Sequence, residues 1–132
     1  MKSEKEHRKM NVKLLLIDDE KLICSSLKQY LEKNKECSVN IVFNGKDALS
    51  KLNENHYDIL LTDLNLPDFK EFELIDEIRQ SGKEIPIIVM SANFPDSTAI
   101  YIINNNIFRC ITKPFELEAI SDCVTDAMKC RV

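Results

Sequence analysis

Tryptophan is absent from these 132 residues, glycine occurs twice and proline four times. With only Gly45 and Gly82 available, no glycine-rich loop can wrap backbone amides around a phosphate, which sets aside P-loop and nucleotide-binding modules. Histidine is nearly as scarce, and neither His7 nor His56 stands at a zinc-like interval from a cysteine. The five cysteines, Cys24, Cys37, Cys110, Cys123 and Cys130, are odd in number and lack paired close spacing. They read as reduced thiols of a cytoplasmic protein, most of them small core residues. No apolar run approaches the roughly 18 residues that a membrane span requires, and the opening MKSEKEHRKMN is too polar for a signal peptide. A basic excess is missing too: the net charge of −4 provides no positive field to hold a polyanion, so direct nucleic-acid binding is not expected.

What remains is 44% apolar and 30% charged, enough for one ordinary core. The expected organisation is a solvated polar arm over residues 1–11 and one domain over 12–130. Short apolar runs recur at 12–17 (VKLLLI), 39–43 (VNIVF), 57–62 (YDILLT), 85–90 (IPIIVM) and 108–112 (FRCIT), with helix-length stretches between them. This alternation predicts an α/β fold of (βα)5 type: a doubly wound, parallel five-stranded sheet with helices on both faces. One-sided apolar stripes support the helices: Ile23, Leu27 and Leu31 in 20–33; Ala48, Leu49 and Leu52 in 45–54; Phe72, Ile75 and Ile78 in 70–80; Ile120, Cys123, Val124 and Ala127 in 116–129. Gly82 lies where a left-handed stop would end the third of these helices. Runs one, three and four are almost continuously apolar, as strands buried on both faces are, whereas runs two and five alternate like edges. Edges at two and five fit the order 2-1-3-4-5, which is the expectation here; a dinucleotide fold of order 3-2-1-4-5, the alternative, would place strand three at that edge. The stretch before the fifth run departs from this regularity, because Ala99, Ile100, Tyr101, Ile102 and Ile103 are consecutive, too many for one buried stripe. Some of them must face solvent or a partner.

The runs end on chemistry. Asp18 and Asp19 follow the first, Asp63 the third, Ser91 the fourth and Lys113 the fifth. In an open parallel sheet, ligands bind outside the carboxyl ends of the strands near the point where strand order reverses. Taken singly, each residue has an ordinary structural explanation: Asp18 and Asp19 as a helix cap, Asp63 as the start of a turn, Ser91 as a cap, Lys113–Pro114 as a loop. Their joint placement points to a site. Carboxylates gathered there repel by about 4 kcal/mol per pair at a 4 Å separation with an effective dielectric near 20. A hard cation with oxygen ligands offsets that, and Mg²⁺ commonly binds through one or two carboxylates plus waters and phosphate oxygens. Cation, ammonium and hydroxyl together can surround a phosphoryl group, and a carboxylate can accept one as an acyl phosphate.

With LLLIDDE, DILLTDLNLPDFKEFEL, PIIVMSA and ITKPF in this order and spacing, residues 12–129 resemble a response-regulator receiver domain of two-component signalling. The resemblance implies that Asp63 is the phosphoacceptor, that Asp18, Asp19, Asp63 and the backbone carbonyl of Asn65 hold Mg²⁺, and that Ser91 and Lys113 contact the phosphoryl oxygens. It also implies a cis bond between Lys113 and Pro114, a sensor histidine kinase or phosphotransfer protein as donor, and a downstream effector or fused output domain as recipient. The chain would assist its own phosphorylation and dephosphorylation without being a small-molecule enzyme. A homodimer through residues 95–112 is a further expectation, since the crowded apolar helix lies there. Asn65 and Asn93 flank the site where water would attack the acyl phosphate.

Three positions depart from the family pattern. Glu71 stands where a glycine is usual, eight residues past the acceptor, and Asn106 replaces a glycine near the end of the fourth helix. Cys110 occupies the place, three before the lysine, of the aromatic that moves with the hydroxyl residue. Phe108, two residues earlier on the same strand face, is the candidate replacement. A phosphatase of the haloacid-dehalogenase type would want a second acid two residues after Asp63, where Asn65 stands. The rival that keeps the fold is a receiver-shaped interaction module that is never phosphorylated.

Overall fold

The computed structural model describes residues 12–34 and 37–130. The expected N-terminal arm lies outside these residues. Strand and helix alternate through β1 (Val12–Ile17), α1 (Lys21–Asn34), β2 (Cys37–Val42), α2 (Gly45–Glu54), β3 (Ile59–Asp63), α3 (Glu73–Gln80), β4 (Ile87–Ser91), α4 (Thr98–Asn105), β5 (Arg109–Thr112) and α5 (Leu117–Lys129). All four strand pairs are parallel and the sheet order is β2-β1-β3-β4-β5.

Period-two side-chain placement divides the core between the two faces of this sheet. On one face Leu14, Leu16, Ile59, Leu61, Ile88 and Met90 pack with Leu27 and Leu31 of α1 and with Ile120 and Val124 of α5. On the other, Leu15, Ile17, Leu60, Ile87 and Val89 pack with Ala48 and Leu52 of α2 and Leu74, Ile75 and Ile78 of α3. Each of these side chains larger than alanine, once removed from water, stabilises the fold by about 1.5–3 kcal/mol. β3 and β4 are buried along their whole length, whereas β2 and β5 retain exposed positions, as expected for edges. Ile23 and Leu49 only flank the core.

Several boundaries move relative to the sequence reading. β3 and β4 each run on to include the polar residue expected just beyond them, Asp63 and Ser91. β4 begins at Ile87 because Pro86 has no N–H for the ladder; its carbonyl still accepts the Leu60 N–H at 2.9 Å. α3 starts at Glu73 instead of residue 70, since Glu71 adopts φ 43°, which interrupts a right-handed helix. Asn106 caps α4 in the left-handed conformation at φ 55°, and Gly82 follows α3 at φ 89°. The polar side chains that end β1, β3 and β4, with Lys113 after β5, consequently converge at one edge of the sheet.

Candidate functional site

Asp18 leaves β1 still tied to the sheet by its own N–H, which donates to the Val42 carbonyl at 3.2 Å. Its side chain is fully buried, with Oδ1 accepting the Glu20 N–H at 2.9 Å and Oδ2 facing Lys113 Nζ at 2.8 Å. Asp63 closes β3, only 6% exposed; its Oδ1 accepts the Asn65 N–H at 3.1 Å and its Oδ2 lies 3.3 Å from Lys113 Nζ. Lys113 is held in place by its backbone N–H, which donates to the Ser91 carbonyl at 2.8 Å, and the Lys113–Pro114 peptide is cis. Its ammonium thus bridges the ends of β1 and β3 from β5.

Asp18, Asp19 and Asp63 can each offer a carboxylate oxygen within 4.8 Å of the others. Burial raises the Asp63 carboxyl above its ordinary value and the Asp18 charge raises it further, against the opposing Asn65 amide and Lys113 ammonium. One ammonium thus faces the carboxylates of Asp18, Glu20 and Asp63. For Lys113, burial acts to lower the ammonium, but bonds to Asp18 and Glu20 and the charges of Asp18 and Asp63 outweigh it and hold the group well above its ordinary value. A hard, oxygen-seeking cation matches this donor set.

Ser91 stands beside the cluster but its hydroxyl is engaged elsewhere. Oγ donates to the Asn93 carbonyl at 3.0 Å and accepts the Asn93 N–H at 3.1 Å and Asn65 Nδ2 at 3.3 Å. The pocket thus brings together Asp18, Asp19, Asp63 and Lys113, with Ser91 joined through Asn65. Cys110 is not part of it: the half-buried thiol packs on the α2–α3 face of the sheet, in the cluster that includes Phe94, Tyr101 and Ile102. Phe108 cannot take over from it. It precedes β5 rather than lying in it, and its side chain packs against the core cluster on the α1–α5 face, opposite to Cys110.

One participant went unassigned in the sequence. Glu20 Oε1 receives the third Lys113 N–H at 2.9 Å. The only hint was a third acid directly after the Asp18–Asp19 pair. Cys24, at the start of α1, is equally local: its thiol donates to the Asp18 carbonyl at 3.2 Å, and burial, reinforced by Asp18, pushes it up to about 12.

Five parallel strands in the order 2-1-3-4-5, alternating with five helices, define the flavodoxin-like (βα)5 class, and the acidic pocket lies on the carboxyl edge of that sheet. More narrowly, the chain belongs to the response regulator receiver domain family, whose model matches residues 14–125. It is 31% identical over 109 residues to the transcriptional regulatory protein DltR of Streptococcus agalactiae, covering 83% of this chain and 48% of that protein. It is 35% identical over 81 residues to the sensor histidine kinase RcsC of Escherichia coli, covering 61% of this chain and 8% of that one. The chain thus spans about half or less of the length of these relatives. Among solved structures, a Francisella response-regulator receiver domain superposes with a TM-score of 0.82 at 28% identity, covering 90% of this chain and 98% of the other. A two-component response regulator from Clostridium difficile gives 0.81 at 27% identity, covering 90% and 97%. No helix among the described residues is long and apolar enough to cross a membrane.

Proposed function

We propose that this chain is a phosphoacceptor receiver that takes a phosphoryl group onto Asp63 from a phosphohistidine on a separate sensor kinase or phosphotransfer protein. The observation that carries the reading is the single ammonium of Lys113, set 2.8 Å from Asp18 and 3.3 Å from Asp63 beside three carboxylates able to share one cation.

Asp18, Asp19 and Asp63, with the Asn65 carbonyl, would hold Mg²⁺; the bound ion would offset the carboxylate repulsion and the charge on the phosphoryl oxygens. An Asp63 carboxylate oxygen attacks phosphorus as the bond to the imidazole breaks. Lys113 turns one N–H to an equatorial phosphoryl oxygen, an interaction strengthened by the low exposure of the pocket. Ser91 exchanges its bond to the Asn93 carbonyl for one to the phosphoryl group, and that exchange biases the surface built by α4, β5 and α5 toward a second state. Asn65 and Asn93 supply neutral amides that orient the water for hydrolysis. The role is that of a switch for a downstream effector or fused output domain, not of a small-molecule enzyme. Self-association through residues 95–112 is part of the proposal, and a monomer by light scattering with and without a phosphoryl mimic would remove that part.

Acetyl phosphate with Mg²⁺ should label the wild type and not Asp63→Asn. Absence of label from both proteins would leave the unphosphorylated interaction module as the better reading.

A further inference from the structure

The loop that carries Asn65 away from Asp63 is fastened a second time, well outside the pocket. Asp68 turns its carboxylate to the first turn of α2, where Oδ1 accepts the Gly45 N–H and Oδ2 the Lys46 N–H, both at 2.9 Å. A helix cannot satisfy its first amides internally, and its positive end favours an anion. Burial would raise the Asp68 carboxyl, but those two amides hold it below its ordinary value. The next residue reinforces the contact. Phe69 lies so close over Gly45 that an added Cβ there would meet ring carbons at 2.3 and 2.5 Å. One of only two glycines in the chain is thus placed at this approach.

α2 already has a local cap: Asn44 Oδ1 accepts the Asp47 N–H at 2.7 Å. The contact from Asp68 therefore does more for the loop than for the helix. At its other end the loop is pinned by the Asn65 N–H on Asp63 Oδ1 at 3.1 Å and by Asn65 Nδ2 on Ser91 Oγ at 3.3 Å. Only Leu66 and Pro67 lie between the two anchors, and proline fixes its own φ.

We propose that Asp68 is a positioning residue for Asn65: by clamping the β3–α3 loop to the N-terminus of α2, it sets where the Asn65 backbone stands relative to a cation held by Asp18, Asp19 and Asp63. This deepens the phosphoacceptor reading and rests on it. Outer partners that orient metal-binding groups characteristically change affinity by about 10- to 100-fold when removed; for a clamp acting through the backbone we expect the lower figure.

The test compares Asp68→Ala with Asn44→Ala in the full chain. Both remove a cap from α2, so both should lower Tm. Only Asp68→Ala should weaken Mg²⁺ binding in titration calorimetry, by about tenfold, and speed amide exchange at residues 65, 66 and 68 in metal-free protein. Asp68→Asn, which keeps one acceptor oxygen, should fall between wild type and Asp68→Ala, and it carries the comparison should the alanine variant fail to fold. Mg²⁺ affinity unchanged in Asp68→Ala, or equally weakened in Asn44→Ala, overturns the positioning role while the labelling of Asp63 stands. A wild type that neither binds Mg²⁺ nor labels overturns the phosphoacceptor reading and this inference with it.

Discussion

α4 and α5 cover opposite faces of β5, yet they are attached by different physics. α5 buries Ile120, Ser121, Cys123, Val124 and Ala127 and shares its core with Ile111 of the strand. α4 buries only Thr98, while Ile100 and Ile103 are 67% and 79% exposed. Tyr101 and Ile102 of α4 pack against the core only as partly buried side chains, and the directional contacts that fasten the helix come from α3 and its approach. The Tyr101 ring stacks on Phe72 with centroids 3.9 Å apart, and its hydroxyl donates to the Asp76 carboxylate. Arg79 donates to the carbonyls of Asn105 and Asn106 at the end of α4 at 2.9 and 3.1 Å, and to those of Lys83 and Ile85 at 3.1 and 2.8 Å. A helix held by hydrocarbon burial leaves only when the core opens. One held largely by a few directional bonds and partly buried side chains can shift by exchanging them at lower cost, which is the property the proposed switching surface needs.

The contrast can be broken most severely on the α5 side. Ile120→Ala, at a fully buried position, should cost about 2–5 kcal/mol by denaturant titration, in one cooperative transition. Arg79→Ala should cost less, about 1–3 kcal/mol, and its amide exchange should rise in α4 but not in α5. Tyr101→Phe, which keeps the stack and loses the hydroxyl, should cost about 1 kcal/mol and change the response to alkali. Burial first, and then the bond to Asp76, raises the Tyr101 phenol above its ordinary value of 10.0. The folded state therefore holds this proton more tightly. Its contribution is complete below 10.0 and is lost as pH rises through the raised value. Tyr101→Phe should accordingly decline less steeply in alkali than wild type. Ile103→Ser should stay within about 0.5 kcal/mol of wild type; a loss comparable to that of Ile120→Ala would erase the distinction between the two helices.

The α5 stripe and the sheet order were readable because burial leaves a period in the sequence: Ile120, Cys123, Val124 and Ala127 recur at helical spacing and all are buried. The pocket was readable for a related reason, since a parallel sheet brings its strand ends together and Asp18, Asp63, Ser91 and Lys113 sit at those ends. Contacts across loops leave no such trace. Nothing in the spacing of Asp68 and Gly45 foretells a bond between them, and Glu20 joins Lys113 across 93 residues. Phe108 illustrates a different limit: alternation puts it on the face of Cys110 only if the strand already runs through it, and β5 starts one residue later.

Both glycines have their own places, Gly45 beneath the Phe69 ring and Gly82 just past α3, so among the described residues the left-handed positions besides Gly82 fall to two residues with side chains. Asn106 tolerates that geometry well, whereas Glu71 carries a full Cβ there, at a cost of about 1 kcal/mol relative to glycine. The turn ahead of α3 is therefore built below its attainable ruggedness, and a single codon change to glycine would toughen the chain without touching the pocket.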